Sequence, residues 1–295
     1  MYYFIVNNTS GGGKASEIWN HTETILQNKN IHYRVFHTQH ANHGSTLVRD
    51  IIHKEKARAI IAVGGDGTVH EVINGLTGSS IPLGIIPAGS GNDFCRGLGI
   101  PMKYNKALDR ILQDEPKLMD VGWINGRYFG TVAGIGFDGQ VALETNKSSN
   151  KKMLNLAKIG RVSYIMNVLK VLFYYQPTNV ELQVDSKQTK HKDVWLIAIA
   201  NLPCYAGGMY ICPDARNNDE LFDICILKDI SRWKLLRLFP SVFKGKHINH
   251  PAITITKGKK VTINSNSPIT AHSDGEVIGQ TPFNIRLEPL TISIL

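Results

Sequence analysis

Over the first part of the chain, apolar runs of strand length alternate with amphipathic stretches. Residues 3–6 form a short apolar run, followed by a glycine-rich loop and an amphipathic segment over 15–27. Residues 33–37 read as a strand and 45–54 as a helix. Residues 58–63 form an almost unbroken apolar run that ends at two glycines, the pattern of a strand buried on both faces. A helix over 68–76 and a strand over 82–86 follow. Such alternation predicts a parallel sheet with helices on both faces, a three-layer α/β domain.

The pattern changes from Lys117 onward, where short strands dominate: 118–124, 128–133, 180–184, 194–200 and 222–227, then 253–256, 260–263, 269–272, 283–287 and 291–294. Turn pairs separate them, among them Asn125-Gly126, Asp274-Gly275 and Lys257-Gly258. This spacing predicts an antiparallel β-sandwich, interrupted by helical stretches over 153–175 and 231–243. The expected division is 1–125 and 126–295, with a return of the last residues to the first domain left open.

The chain has 295 residues, 42% of them hydrophobic and 19% charged, enough apolar surface for two packed domains. Lys+Arg number 33 against 24 Asp+Glu, a net charge of +9. That excess points to an anionic partner: nucleic acid, a phosphorylated substrate or a negatively charged membrane surface. No apolar run approaches the ~18 residues of a membrane-spanning helix, and residues 1–6 lack the basic flank of a signal peptide. Cys95, Cys204, Cys212 and Cys225 form no CxxC pair and no zinc spacing. Reduced, packed thiols of a cytosolic protein are expected.

Three glycine-rich loops each follow a strand of the first domain, so they converge at the carboxyl edge of the sheet. The first is Asn7-Asn8-Thr9-Ser10-Gly11-Gly12-Gly13-Lys14, whose backbone amides and following helix suit an anion although the Walker spacing is absent. The second, Gly64-Gly65-Asp66-Gly67-Thr68, has a carboxylate at the strand end and a Thr68/Glu71 pair at capping-box spacing. The third is Pro87-Ala88-Gly89-Ser90-Gly91-Asn92-Asp93-Phe94, in which Asp93 reads either as a site carboxylate or as a helix cap.

The second and third loops, about 25 residues apart, together with the late Asp274-Gly275-Glu276, resemble the diacylglycerol kinase catalytic-domain family, and more closely its soluble bacterial lipid kinases. The resemblance spans the whole chain. It implies transfer of the γ-phosphoryl group of ATP to a lipid hydroxyl, with the nucleotide in a cleft between two domains. Carried over by position, the nucleotide contacts are Asn7, Asn8, Thr9, Ser10, Gly11, Thr38, Gly64, Gly65, Asp66, Gly67, Thr68, Val69, His70 and Ser90. Glu276 falls on the proton acceptor. Asp66 is assigned to the catalytic Mg²⁺ or to the base role, with Asn92, Asp93 and Asp120 in the polar network. A structural Mg²⁺ is implied at Arg216, Asp219 and Leu221, through the Asp219 carboxylate and the two backbone carbonyls. Asn8 departs from the usual proline, Ser90 from threonine and Glu220 from glycine; a turn with positive φ at Glu220 would be strained.

Basic residues flank two apolar helical stretches: Lys147, Lys151, Lys152, Lys158, Arg161 and Lys170 around Leu154 to Tyr175, and Arg232, Lys234, Arg237, Lys244 and Lys246 around Trp233, Leu235, Leu236, Leu238 and Phe239. Together they predict either helices packed on a sheet with solvated edges or peripheral docking at the anionic inner face of a membrane. Rival readings are an NAD kinase-like enzyme, a non-catalytic lipid-binding module and a nucleic-acid-binding protein. The second glycine motif and Asp274-Gly275-Glu276 argue against the first. The joint presence of Asp66, Asn92, Asp93 and Glu276 argues against the second. The third is disfavoured because the aromatics fall inside periodic elements instead of stacking surfaces. The oligomeric state is left open, a homodimer included.

Overall fold

Nearly continuous apolar runs supply strands buried on both faces, in the amino-terminal third and again over 132–136, 194–200 and 222–227, and alternating runs supply half-buried ones. The computed structural model describes residues 1–149 and 157–295. Lys151, Lys152 and Leu154, and the first residues of the helix expected over 153–175, lie outside the described residues, as do the side chains of Lys158 and Arg161. The chain divides into two units, Met1–Val121 with Pro289–Leu295, and Gly122–Glu288.

In the first unit, β1 (Tyr2–Val6), α1 (Lys14–Asn28), β2 (Tyr33–His37), α2 (His43–Lys54), β3 (Ala59–Gly64), α3 (Asp66–Leu76), β4 (Leu83–Pro87), α4 (Asp93–Gly97) and α5 (Tyr104–Gln113) follow in order. The strands are parallel, β2–β1–β3–β4, with Val6 level with His37 and with Val63, and Gly64 level with Pro87. All four therefore end on one edge. β1, β3 and β4 are buried along their whole length, which requires cover on both faces. The pair α1 and α5 and the pair α2 and α3 provide it. Ile294, from the carboxyl terminus, pairs in parallel with Leu83 and adds a strand beside β4.

The second unit is an antiparallel β-sandwich. It contains the end of β5 (Lys117–Ile124), then β6 (Arg127–Phe129), β7 (Val132–Gly136), α6 (Phe137–Ser149), α7 (Ala157–Tyr174), β8 (Thr178–Val184), β9 (Lys187–Ala200), β10 (Phe222–Lys228), α8 (Arg232–Val242), β11 (Ile253–Gly258), β12 (Lys260–Ser265), β13 (Thr270–Ser273), β14 (Glu276–Gln280) and the first part of β15 (Phe283–Ile294). β9 joins two layers. Its first half pairs with β8, and its second half lies between β7 and β10. Period-two alternation then sends Ile197 and Ile199 into a core with Leu182, Ile263 and Phe283, and Leu196, Ala198 and Ala200 to the opposite face, under α8.

Several boundaries differ from expectation. The single strand expected over 128–133 is two, because the amides of Gly130 and Thr131 leave the ladder to donate to Asp274. The two strands expected over 283–294 are one. Helix α6 was not among the expected elements; it begins at Phe-Asp-Gly, and Gly139 lets it approach the Thr270 carbonyl, which a Cβ would strike. The four cysteines are free and buried. Among the described residues, no helix is long and apolar enough to cross a membrane.

Candidate active site

The loops that follow β1, β3 and β4 interlock at the carboxyl edge of the first unit's sheet. Ser10 Oγ accepts the Gly65 amide at 2.9 Å, tying the first loop to the second. Asn7 Nδ2 donates to Thr68 Oγ1 at 3.2 Å, and Asn7 Oδ1 accepts the amide and hydroxyl of Thr9, which folds the first loop on itself. The Phe94 amide donates to Asp66 Oδ1 at 3.0 Å, joining second loop to third. Asn92, at φ +53, closes the third loop by exchanging hydrogen bonds with Gly89 N and O, both at 2.9 Å.

Two glycines are required by this packing. Gly11, at φ +62, lies against the Ala88 carbonyl, and Gly89 lies so close to Gly65 that a Cβ would collide with the Gly65 Cα. Backbone meets backbone at both places, so no side-chain motion relieves the overlap. The third loop also gathers acid. A point one bond out from Gly91 Cα lies 2.9 Å from Asp66 Oδ2 and 3.4 Å from Asp93 Oδ2. Asp93 is buried, with Arg96 Nη1 at 3.6 Å from its Oδ1. Burial pushes the neighbouring Cys95 thiol up to about 12, and the charge of Asp66 adds to the shift.

Beside these loops is a cavity of about 360 Å³ lined by Asn7, Thr9, Ser10, Thr38, Gly67 and Thr68. Glu71 completes it with Gln39, His40 and Ala41, for which the sequence alone gives no signal. These last three follow the end of β2. The spacing of Thr68 and Glu71 predicts a capping box. Instead the helix begins at Asp66 with Gly65 as its cap, and Glu71 accepts the amides of Asn42 and Gly44, both at 2.8 Å, at the start of α2. The first-turn amides of α3 have no partner within the helix and face the end where an anion is favoured.

Of the other expected contacts, Asn8 Oδ1 is 3.2 Å from His37 Nδ1, and Ser90 is exposed. Val69 and His70 are buried on α3 and do not line the cavity; the Val69 amide makes the helix's first bond, to Gly65 O. Asp120 is fully buried and receives the Leu290 amide at 2.7 Å, so it anchors the returning carboxyl-terminal segment.

In the second unit, Glu276 is exposed at the start of β14, level with Ser273 on β13. Its turn is held from below. Asp274 accepts the amides of Gly130 (2.9 Å), Thr131 (2.9 Å) and Val132 (3.2 Å), as well as the Thr131 hydroxyl. Gly275 N donates to His272 Nδ1 at 3.2 Å, and His272 Nε2 is 2.8 Å from Asp138 Oδ2 in a buried pair. Burial opposes protonation of His272, but Asp138, with Asp274 behind it, outweighs burial and holds the pKa above the usual histidine range.

In the loop implied to hold a structural Mg²⁺, the one carboxylate of the expected ligand set, Asp219, has protein partners. Asp219 Oδ1 accepts the Leu221 amide, and Lys257 Nζ is 3.3 Å from Asp219 Oδ2 and 3.0 Å from Asp223 Oδ2. Burial draws the Lys257 pKa down, but Asp223 and Asp219 outweigh it, so the ammonium stays charged and balances the acids. Arg216 is exposed. Glu220 does pass through φ +59, and its carboxylate meets Lys259 Nζ at 2.7 Å. Among the described residues, no three His, Cys, Asp or Glu side chains gather as metal ligands.

A parallel α/β unit with interlocked phosphate-type loops, followed by a β-sandwich, defines a class. The diacylglycerol kinase catalytic domain matches residues 1–124, and the YegS C-terminal NAD kinase beta sandwich-like domain matches residues 131–295. The chain belongs to the diacylglycerol kinase family and is a lipid kinase, a phosphotransferase with an alcohol acceptor. It is 36% identical to a diacylglycerol kinase of Mycobacterium tuberculosis over 80% of this chain and 76% of that one. It is 33% identical to a diacylglycerol kinase of Bacillus subtilis over 82% and 80% of the two chains, and 30% identical to the Bacillus subtilis protein YtlR over 99% and 98%. The crystal structure of a Bacillus anthracis diacylglycerol kinase shares the fold, with a TM-score of 0.74 at 22% identity over 99% of this chain and 95% of that one.

Proposed function

We propose that this lipid kinase transfers the γ-phosphoryl group of ATP to the hydroxyl of a membrane lipid alcohol, diacylglycerol or a close relative. The observation that carries the reading is the interlocking of three loops beside a polar cavity, with the Asp66 and Asp93 carboxylates turned to one point next to Gly91. Two carboxylates are a donor set that suits Mg²⁺, which prefers oxygen ligands and keeps its other positions for water and phosphate. When bound, that ion supplies neutralisation of the β- and γ-phosphate charge. The chain's own contribution is placement. The first-turn amides of α3 and the hydroxyls of Thr9, Ser10 and Thr68 orient the phosphates, and Thr38 and Gln39 border the rest of the nucleotide.

Glu276 accepts the proton of the lipid hydroxyl in this reading, since an alcohol is a weak nucleophile at neutral pH. Asp274 and His272 position the turn that carries it. The protein works in the cytoplasm at the inner face of the membrane. The test is transfer of labelled phosphate from ATP to mixed micelles of candidate lipids. Asp66→Asn and Glu276→Gln are each expected to lower kcat by roughly 10²–10⁴-fold. Unchanged turnover in both variants, or transfer to NAD with none to lipid, overturns the reading.

A further inference from the structure

Helix α8 has two unlike faces. Leu235, Leu238, Phe239 and Val242 recur at helical spacing, pack on the sandwich and line an apolar cavity of about 60 Å³. The opposite stripe carries Trp233, Arg237 and Pro240, all exposed, with exposed Lys234 beside them and exposed Lys244 and Lys246 just past the helix end. Trp233 is 67% exposed, although a tryptophan side chain is among the largest apolar surfaces a protein can bury. Residues 230–250 contain five Lys or Arg and no Asp or Glu. Elsewhere in the unit many cations are neutralised: Lys147 and Lys170 by Glu144, Lys190 by Glu181 and Lys228 by Asp229.

The surface continues beyond α8. Arg232 Nη2 donates to the Tyr175 carbonyl at 2.9 Å, which ties the start of α8 to the end of α7. The residues flanking that bond are exposed and apolar: Phe173 (64%) and Tyr174 on one side, Trp233 on the other, with Met166 (61%) two turns back along α7. The combination is aromatic and aliphatic side chains standing in solvent, bordered by cations without local acids. Nucleic acid would use the cations and the rings but not Met166. An acidic protein surface would leave the apolar side chains unpaired. An anionic lipid bilayer uses all of them, with rings at the headgroup level and Lys and Arg among the phosphates.

We infer that the outer face of α8 and the carboxyl-terminal end of α7 form a docking surface for anionic membranes. It deepens the lipid-kinase reading by naming the surface from which substrate is drawn, but its test is independent of catalysis. The full chain is sedimented with vesicles of phosphatidylcholine alone or of phosphatidylcholine mixed equally with phosphatidylglycerol. Selective binding to the anionic vesicles is expected. Each basic residue near such a surface contributes about fivefold to partitioning, so Lys234→Ser/Arg237→Ser/Lys244→Ser/Lys246→Ser is expected to lower binding by at least about fiftyfold. Trp19 and Trp195 are buried, and Arg286 covers the Trp123 ring at 3.8 Å. Tryptophan emission is therefore expected to shift to the blue on anionic vesicles in the wild type and not in Trp233→Phe. Turnover of a water-soluble short-chain diacylglycerol is expected to be the same in the four-residue variant and wild type, which separates docking from chemistry. Equal binding to neutral vesicles, undiminished binding by the variant, or retention of nucleic acid without vesicle binding overturns the inference.

Discussion

In the first unit, the loops that border the candidate nucleotide cavity meet backbone to backbone at two glycines and are tied by short polar side chains. In the second, the turn that presents Glu276 is held largely by buried charge. Gly65 N on Ser10 Oγ, Phe94 N on Asp66 Oδ1 and the contacts of Gly11 with Ala88 and Gly89 with Gly65 leave little room for any side chain between the loops. Around Asp274 and the His272–Asp138 pair, by contrast, the close contacts are made by carboxylates and an imidazole. The first arrangement leaves no room for added volume at Gly11 and Gly89. The second tolerates neither the loss of a partner nor a change in protonation. Each difference can be tested separately.

The largest effect on stability is expected at the buried pair. Asp138 and His272 are both nearly inaccessible, and removing one partner strands the other away from water. Asp138→Ala is expected to destabilise the protein by about 3–5 kcal/mol, measured by chemical denaturation. The effect depends on pH in a stated direction. His272 has a folded pKa above its unfolded value of about 6.5. The pair's contribution is therefore fully present below that unfolded value and disappears as pH rises through the folded one. The stability gap between wild type and Asp138→Asn is expected to narrow across that window; a gap constant with pH would remove charge from the explanation.

Gly89→Ala tests the first arrangement. The added methyl collides with the Gly65 backbone, and relief requires the second and third loops to part. A destabilisation of about 1–3 kcal/mol is expected, without the pH dependence of the pair. Activity should fall by far more than stability, because separating the loops displaces Asp66 from Asp93. Asp274→Asn ranks below it. The side chain keeps its shape but loses the charge that strengthens its bonds to Gly130, Thr131 and Val132. A loss of about 1–2 kcal/mol is expected, with kcat reduced through the misplaced Glu276 turn and the KM for ATP unchanged.

The contrast between the regions also explains which parts were legible in the sequence. Buried parallel strands write themselves as unbroken aliphatic runs, so β1, β3 and β4 were located from residues 3–6, 58–63 and 82–86. The loops were visible because glycine appears where backbones must touch. What was missed depends on partners distant in sequence. Nothing local distinguishes the break between β6 and β7, since its cause is Asp274, more than a hundred residues away. Nothing local marks α6 either, whose Gly139 makes room for the Thr270 carbonyl of a distant strand. Glu71 sits at capping-box spacing from Thr68 yet serves the start of the preceding helix, α2. Lys257 carries no local signal that it would neutralise Asp219 and Asp223.

The smallest effect on stability is expected at Gly67, and it divides the glycines of one motif into two kinds. A Cβ built on Gly89 strikes backbone, whereas one built on Gly67 meets nothing within 4 Å. Gly67 lies in the first turn of α3 and lines the cavity. Alanine is the better helix former by up to about 1 kcal/mol, so packing and propensity give no reason for glycine there. The remaining reason is the ligand, which must approach the amides of that turn without a methyl in the way. Gly67→Ala is therefore expected to leave the denaturation midpoint unchanged or slightly raised, while the KM for ATP rises and the KM for the lipid does not. Titration of the variant with nucleotide, followed by thermal shift, checks this directly. A variant that binds ATP as the wild type does would mean that the phosphates lie elsewhere than against α3, and the cavity would lose its assignment.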